Sequence, residues 1–139
     1  MLVLKKNLLL LMSVCFIILL TACNQKQEEE AVPQFLDVKL SVTPEKGEPK
    51  DEIQFDAKVT YGEEEVNDAD EVEFEIWRSK DENHEKVEVK ESNKGVYTLR
   101  KSFSKEGTYY VISHVTAKDM HAMPKKEFVV GKASEPEEE

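Results

Sequence analysis

Four residues able to bind a soft metal, His114, Met120, His121 and Met123, fall within ten positions of a chain that has only three histidines and four methionines. Three of them sit in the stretch "AKDMHAMPKK", residues 117 to 126. Neutral imidazole suits copper, zinc, iron or nickel, whereas a thioether is soft and selects for Cu(I), so mixed His and Met ligation points to copper before zinc. Zinc sites use Cys, His and carboxylates rather than Met, and Asp119 is the one carboxylate in the stretch. No fixed ligand template such as HExxH is present. The same residues also fit a metal-free reading, in which the methionines are adaptable contacts for a protein partner.

The elements that must position these residues are strands. From Phe35 to Gly131 the apolar period is two, with no convincing helical period. Leu36, Val38, Leu40 and Val42 alternate with polar neighbours, as do Ile53, Phe55, Ala57, Val59 and Tyr61, then Val72, Phe74 and Ile76. Val87 and Val89, Tyr97 with Leu99 and Phe103, the stretch after Gly107, and Glu127 to Val130 complete seven short segments separated by turn signals. That pattern predicts an all-β fold, an immunoglobulin-like antiparallel β-sandwich of about seven strands. "KEGTYYV", 105 to 111, looks like the tyrosine corner of such domains, with Tyr109 as the corner residue and Val111 in place of the core cysteine.

Parity assigns the faces. On the sixth strand Tyr109, Val111, Ser113, Val115 and Ala117 point inward, and Tyr110, Ile112, His114 and Thr116 point outward. Trp77 follows the inward set Val72, Phe74 and Ile76 by one residue, so it belongs to the outer face and is expected to be a partly exposed aromatic. A hairpin between the last two strands would carry Met120, His121 and Met123 back toward His114. His84, in the polar loop "SKDENHE", is set apart as a solvated residue, because the loop after the third strand lies at the other end of the sandwich from the loop after the sixth.

The chain ends read differently. Lys5 and Lys6 precede an apolar run, Leu8 to Leu20, which marks residues 1–22 as a secretory signal peptide. "LTAC", Leu20 to Cys23, resembles the lipobox of bacterial lipoproteins, so Cys23 is the expected lipidation site. Cleavage removes two lysines and no acid, leaving 17 basic against 29 acidic residues and a charge of −12. A domain so acidic is a poor partner for nucleic acid. With Cys15 gone and Cys23 acylated, neither a disulfide nor a free thiol remains. Residues 23–34 read as the lipidated cysteine and a flexible tether, 35–131 as one folded domain, and 132–139 as a disordered acidic tail.

"SHVTAKDMHAMPKKEFVVG", Ser113 to Gly131, with "VEFEIWRS" and "KGVYTLRKSFSKEGTYYV", resembles the YtkA-like (FixH-related) family of small extracytoplasmic lipoproteins and membrane-anchored domains. The resemblance spans nearly all of Phe35 to Gly131. It implies an immunoglobulin-like sandwich on the outer face of the cell membrane, held there by its lipid, and an association with copper handling or respiratory oxidase maturation. His114, Met120, His121 and Met123 match the family's pattern. The expectation is a copper-binding or metallochaperone-like lipoprotein serving a membrane metalloprotein or oxidase assembly partner, the alternative a metal-free interaction module of the cell envelope. Enzymatic activity is not expected, since no cysteine nucleophile, GxSxG or HExxH occurs.

Overall fold

The computed structural model describes residues 2–5 and 31–138. Leu2 to Lys5 form a helical turn in an N-terminal unit separate from the unit Gln34–Glu139. The lipobox, Cys23 and most of the signal segment lie outside the described residues. Among those described, no helix is long and apolar enough to cross a membrane.

The second unit is built of strands in the order β1 (Leu36–Thr43), β2 (Lys46–Gly47), β3 (Glu52–Tyr61), β4 (Glu64–Glu65), β5 (Glu71–Arg78), β6 (Glu85–Glu88), β7 (Ser92–Asn93), β8 (Val96–Ser102), β9 (Gly107–Ala117), β10 (Met120–Ala122) and β11 (Lys125–Val130). Each of the seven alternating segments gives a strand, and the additions are pieces of two or three residues. One sheet runs β1-β3-β8-β7, with β4 on β3. The other runs β2-β11-β9-β5-β6, with β10 on β9. All pairings are antiparallel except β2 with β11. Of the seven long strands, the first, second and fifth (β1, β3, β8) face the third, fourth, sixth and seventh (β5, β6, β9, β11), an immunoglobulin-like sandwich in which the fourth strand has joined the sheet of the third.

Period-two alternation buries one face of each sheet. Phe55, Phe74, Phe128 and Tyr97 are almost wholly enclosed between them. Phe55 meets Phe128 edge to face at 5.1 Å between ring centroids and Phe103 at 6.3 Å, a geometry that favours aromatic packing beyond burial alone. The Tyr109 hydroxyl donates to the carbonyl of Lys105 at 2.8 Å, which makes the expected tyrosine corner. On β9 the inward set is buried as parity requires. Ser113 is among it, fully buried, its hydroxyl without a hydrogen-bond partner.

Two expectations are revised. Trp77 does point to the outer face, since β5 pairs with β9 without interruption from Glu71 to Arg78, yet it is only 6% accessible. The acidic tail, expected to be disordered, lies along this same face and hydrogen-bonds to it from Ser134 to Glu137. Charge alone does not repay ordering entropy, but an outward aromatic pair, Trp77 and Tyr110, supplies an apolar floor with donors at its rim.

Candidate functional site

The β9–β10 connection is a two-residue turn. Lys118 and Asp119 both have positive φ, 52° and 59°, the combination required by the type I′ hairpin turn whose twist matches the strands. The register Ala117↔Met120, Thr116↔His121, Val115↔Ala122 continues after the Met123-Pro124 step as Ile112↔Lys125. Pro124 has no amide hydrogen to give the ladder, but its carbonyl accepts from the Ser113 amide at 3.1 Å, so register is kept.

That register sorts the four candidate ligands. His121 faces outward beside Thr116, and its Nδ1 lies 3.0 Å from the Thr116 hydroxyl. Its ring centroid is 6.0 Å from that of His114. Met123 falls at the level of His114 on the neighbouring strand and is 52% accessible. Met120 pairs with Ala117, an inward residue, so alternation places it on the opposite face from His121. The structure thus brings together His114, His121 and the backbone position of Met123, and separates Met120 from them.

Two residues that sequence reasoning passed over complete the patch. Glu75, on the outer face of β5, takes a hydrogen bond from His114 Nε2 on Oε2 at 2.6 Å and one from His84 Nδ1 on Oε1 at 2.6 Å. The carboxylate side chain is 16% accessible and His114 19%. His84 therefore does reach the His114 region, against the expectation from loop position. The reason is local: His84 immediately precedes β6, whose Glu85 pairs with Ile76, so its ring turns back along the sheet to mid-strand. It also stacks on Trp77, centroids 4.3 Å apart and planes within 6°. The outward carboxylates of "VEFEIW" look like an ordinary solvated strand face, and only the pairing of β5 with β9 puts Glu75 beside His114.

The electrostatics follow. The hydrogen bond from His84 holds the Glu75 carboxyl below its usual range, with the His114 hydrogen bond and the Lys86 and His114 charges acting in the same direction and burial opposing them. An ionised carboxylate only accepts, so the nitrogen facing it carries the proton: Nε2 of His114, Nδ1 of His84. A neutral His114 consequently presents Nδ1 as its lone pair. A ligand histidine characteristically donates its other N–H to a carboxylate in this manner. Two imidazoles sharing one ion at metal–nitrogen bonds of about 2.0–2.1 Å have centroids roughly 5–6 Å apart, close to the spacing of His114 and His121. Among the described residues no group of three or more His, Cys, Asp or Glu side chains forms a metal cluster. Two imidazoles with one thioether nearby are fewer donors than a closed four-ligand zinc centre needs.

A family model described as YtkA-like matches residues 30–114, more than half of the chain. The chain belongs to the YtkA-like family. The match includes Glu75, His84 and His114 and ends before Met120, His121 and Met123, so membership in the YtkA-like family covers the carboxylate-histidine part of the patch and not the hairpin. No curated protein matches this YtkA-like chain. Among solved structures, a computer-based redesign of a β-sandwich protein is similar to it at 10% identity, covering 72% of this chain and 95% of that one with a TM-score of 0.42.

Proposed function

We propose that this YtkA-like protein is a lipid-anchored, extracytoplasmic copper carrier. Its cargo, Cu(I), is held by His114 Nδ1, His121 and the Met123 thioether, and is passed to a membrane metalloprotein such as an oxidase under assembly. The observation that carries this reading is the Glu75–His114–His121 arrangement, a carboxylate-oriented imidazole with a second imidazole within sharing distance. Glu75 does not touch the ion; it fixes which nitrogen of His114 faces the hairpin. Met123, exposed at the rim, adds a soft ligand. An open site of two or three ligands lets a partner's own ligands enter before the carrier's leave.

The test is a competition titration of the unit Gln34–Glu139 with a chromophoric Cu(I) chelator, beside His114→Ala, His121→Ala and Met123→Ala. Among the described residues, the buried core lies inside this unit. Each substitution weakens binding, the histidines more than the methionine. Equal affinities for all four proteins would remove the site and leave a metal-free interaction module.

A further inference from the structure

Trp77 and Tyr110 face each other across β5 and β9 on the outer surface, ring centroids 5.6 Å apart, with Lys125 Nζ over both rings at 5.2 and 4.5 Å. Neither belongs to the sandwich core. Yet they are only 6% and 7% accessible, and the C-terminal segment accounts for part of that cover. It is held along its backbone and by the Ser134 hydroxyl: the Thr108 amide donates to Ser134 Oγ and the Thr108 hydroxyl to the Ser134 carbonyl, Ser79 Oγ donates to the Glu135 carbonyl, and the Glu137 amide donates to the Tyr110 hydroxyl.

Two carboxylates are read as well. Glu135 pairs with Lys80 Nζ at 2.6 Å, and Glu137 Oε1 accepts from the Trp77 indole at 2.9 Å and from the Lys80 amide at 3.1 Å. Pro136 between them favours extended backbone, which spaces the carboxylates two residues apart. The face therefore recognises a chemistry: an extended strand with acids at alternate positions, laid over an aromatic pair with cations at its edge.

We infer that this face is a docking site for an extended acidic segment of a partner protein, and that the chain's own Ser134–Glu137 is its displaceable resident. The tail's hold is of the exchangeable kind. The Lys80–Glu135 pair is 59% and 85% accessible, so solvent screens it, and the tail brings no large apolar side chain to the aromatic floor. What keeps it in place is linkage, since a segment tethered by a few residues sits at an effective concentration on the order of millimolar. Trp and Tyr in a ring of donors are the residue types that anchor interfaces, and a partner offering the same acids with more apolar surface would outcompete the tail.

The chain has one tryptophan, so its emission reports this face alone. The unit Gln34–Glu139 and its Glu135→Gln/Glu137→Gln variant are titrated with a synthetic peptide of the sequence Lys132 to Glu139, and with the same peptide carrying Gln at both positions. The variant's emission is expected to be red-shifted and to be restored by the acidic peptide, whereas the Gln peptide fails. The parent unit needs at least about tenfold more peptide than the variant. Equal midpoints for parent and variant, or equal response to the two peptides, would overturn the proposal. A chain ending at Ala133 keeps every residue of the core and must bind the acidic peptide at least as well as the variant; failure there also overturns it. Concentration-dependent dimers of the parent that dissolve on this truncation would assign the face to a second copy's tail, and so overturn the assignment to a foreign partner.

Discussion

Glu75 on β5 accepts a 2.6 Å hydrogen bond from His114 on β9, although its direct cross-strand neighbour is Ile112. The contact is diagonal, and it ties the middle of the sheet to the one histidine whose position depends on no loop. Replacing Glu75 by Gln keeps an acceptor but removes the charge and the ability to serve both His114 and His84 as an anion. Cu(I) affinity is expected to fall about 10–100-fold, the usual effect of losing the orienting partner of a ligand. A chelator competition titration beside a thermal melt checks this. Reduced affinity with an unchanged melt is the outcome for a positioning residue, and unchanged affinity would take Glu75 out of the site.

Met120 and Met123 differ in face although they are three residues apart in one hairpin. Met120→Ala is expected to leave Cu(I) affinity within about twofold of the parent, because β10 turns its side chain away from His121. Met123→Ala is expected to weaken it more. A reversed order in the same titration would show that the hairpin register is not the one that holds the ion.

The tyrosine corner and the buried serine give opposite stability effects on one strand. Tyr109→Phe removes the hydrogen bond to Lys105 and leaves that carbonyl without its partner, at a cost of about 1 kcal/mol. Ser113→Ala removes a fully buried hydroxyl that has no partner, and is expected to stabilise by up to about 1 kcal/mol. Urea unfolding with a common m-value measures both. A destabilised Ser113→Ala would mean that the hydroxyl is satisfied in solution.

Gly107 is needed for its backbone. Its φ of 149° is unfavourable for other residues, and a Cβ there would come within 2.6 Å of Arg78 Nε and 3.1 Å of Ser134 Oγ. Gly107→Ala is expected to cost about 1 kcal/mol or more, and to loosen the tail where it joins Thr108. A melt together with Trp77 emission detects the two effects separately, and an unchanged melt would contradict the geometry.

Tail docking should be acid-sensitive. For Glu137 burial pushes the carboxyl upward, but the hydrogen bonds from the Lys80 amide and the Trp77 indole, with the Lys125 and His84 charges, bring it net below its ordinary value of 4.5. The hydrogen bond and charge of Lys80 lower Glu135 likewise. A carboxyl held low in the docked state stabilises docking fully above its free value and loses that contribution as pH falls through the docked value. The Trp77 emission maximum should therefore move to the red as pH falls below about 4.5. In Glu135→Gln/Glu137→Gln the same acid step should be missing; a step of equal size would place the titrating group elsewhere.

Alternation along each segment was enough to establish the all-β class, the number of long strands and the inward set on β9, because in a half-buried strand the side-chain period is two and burial follows directly; the corner role of Tyr109 came from the spacing of "KEGTYYV" instead. It also placed His114 and Trp77 on the outer face. Which outward residues meet there could not be read from the chain, since that depends on the order of strands across the sheet. The pairing of β5 with β9 and β6 brings Glu75 between His114 and His84, residues separated from it by 39 and 9 positions. The hairpin register likewise decides that His121 and Met123 share the face of His114 while Met120 does not. The tail misleads for a related reason: composition reports the charge that keeps a segment in water, whereas docking depends on the aromatic surface and donors that a distant part of the fold sets in front of it.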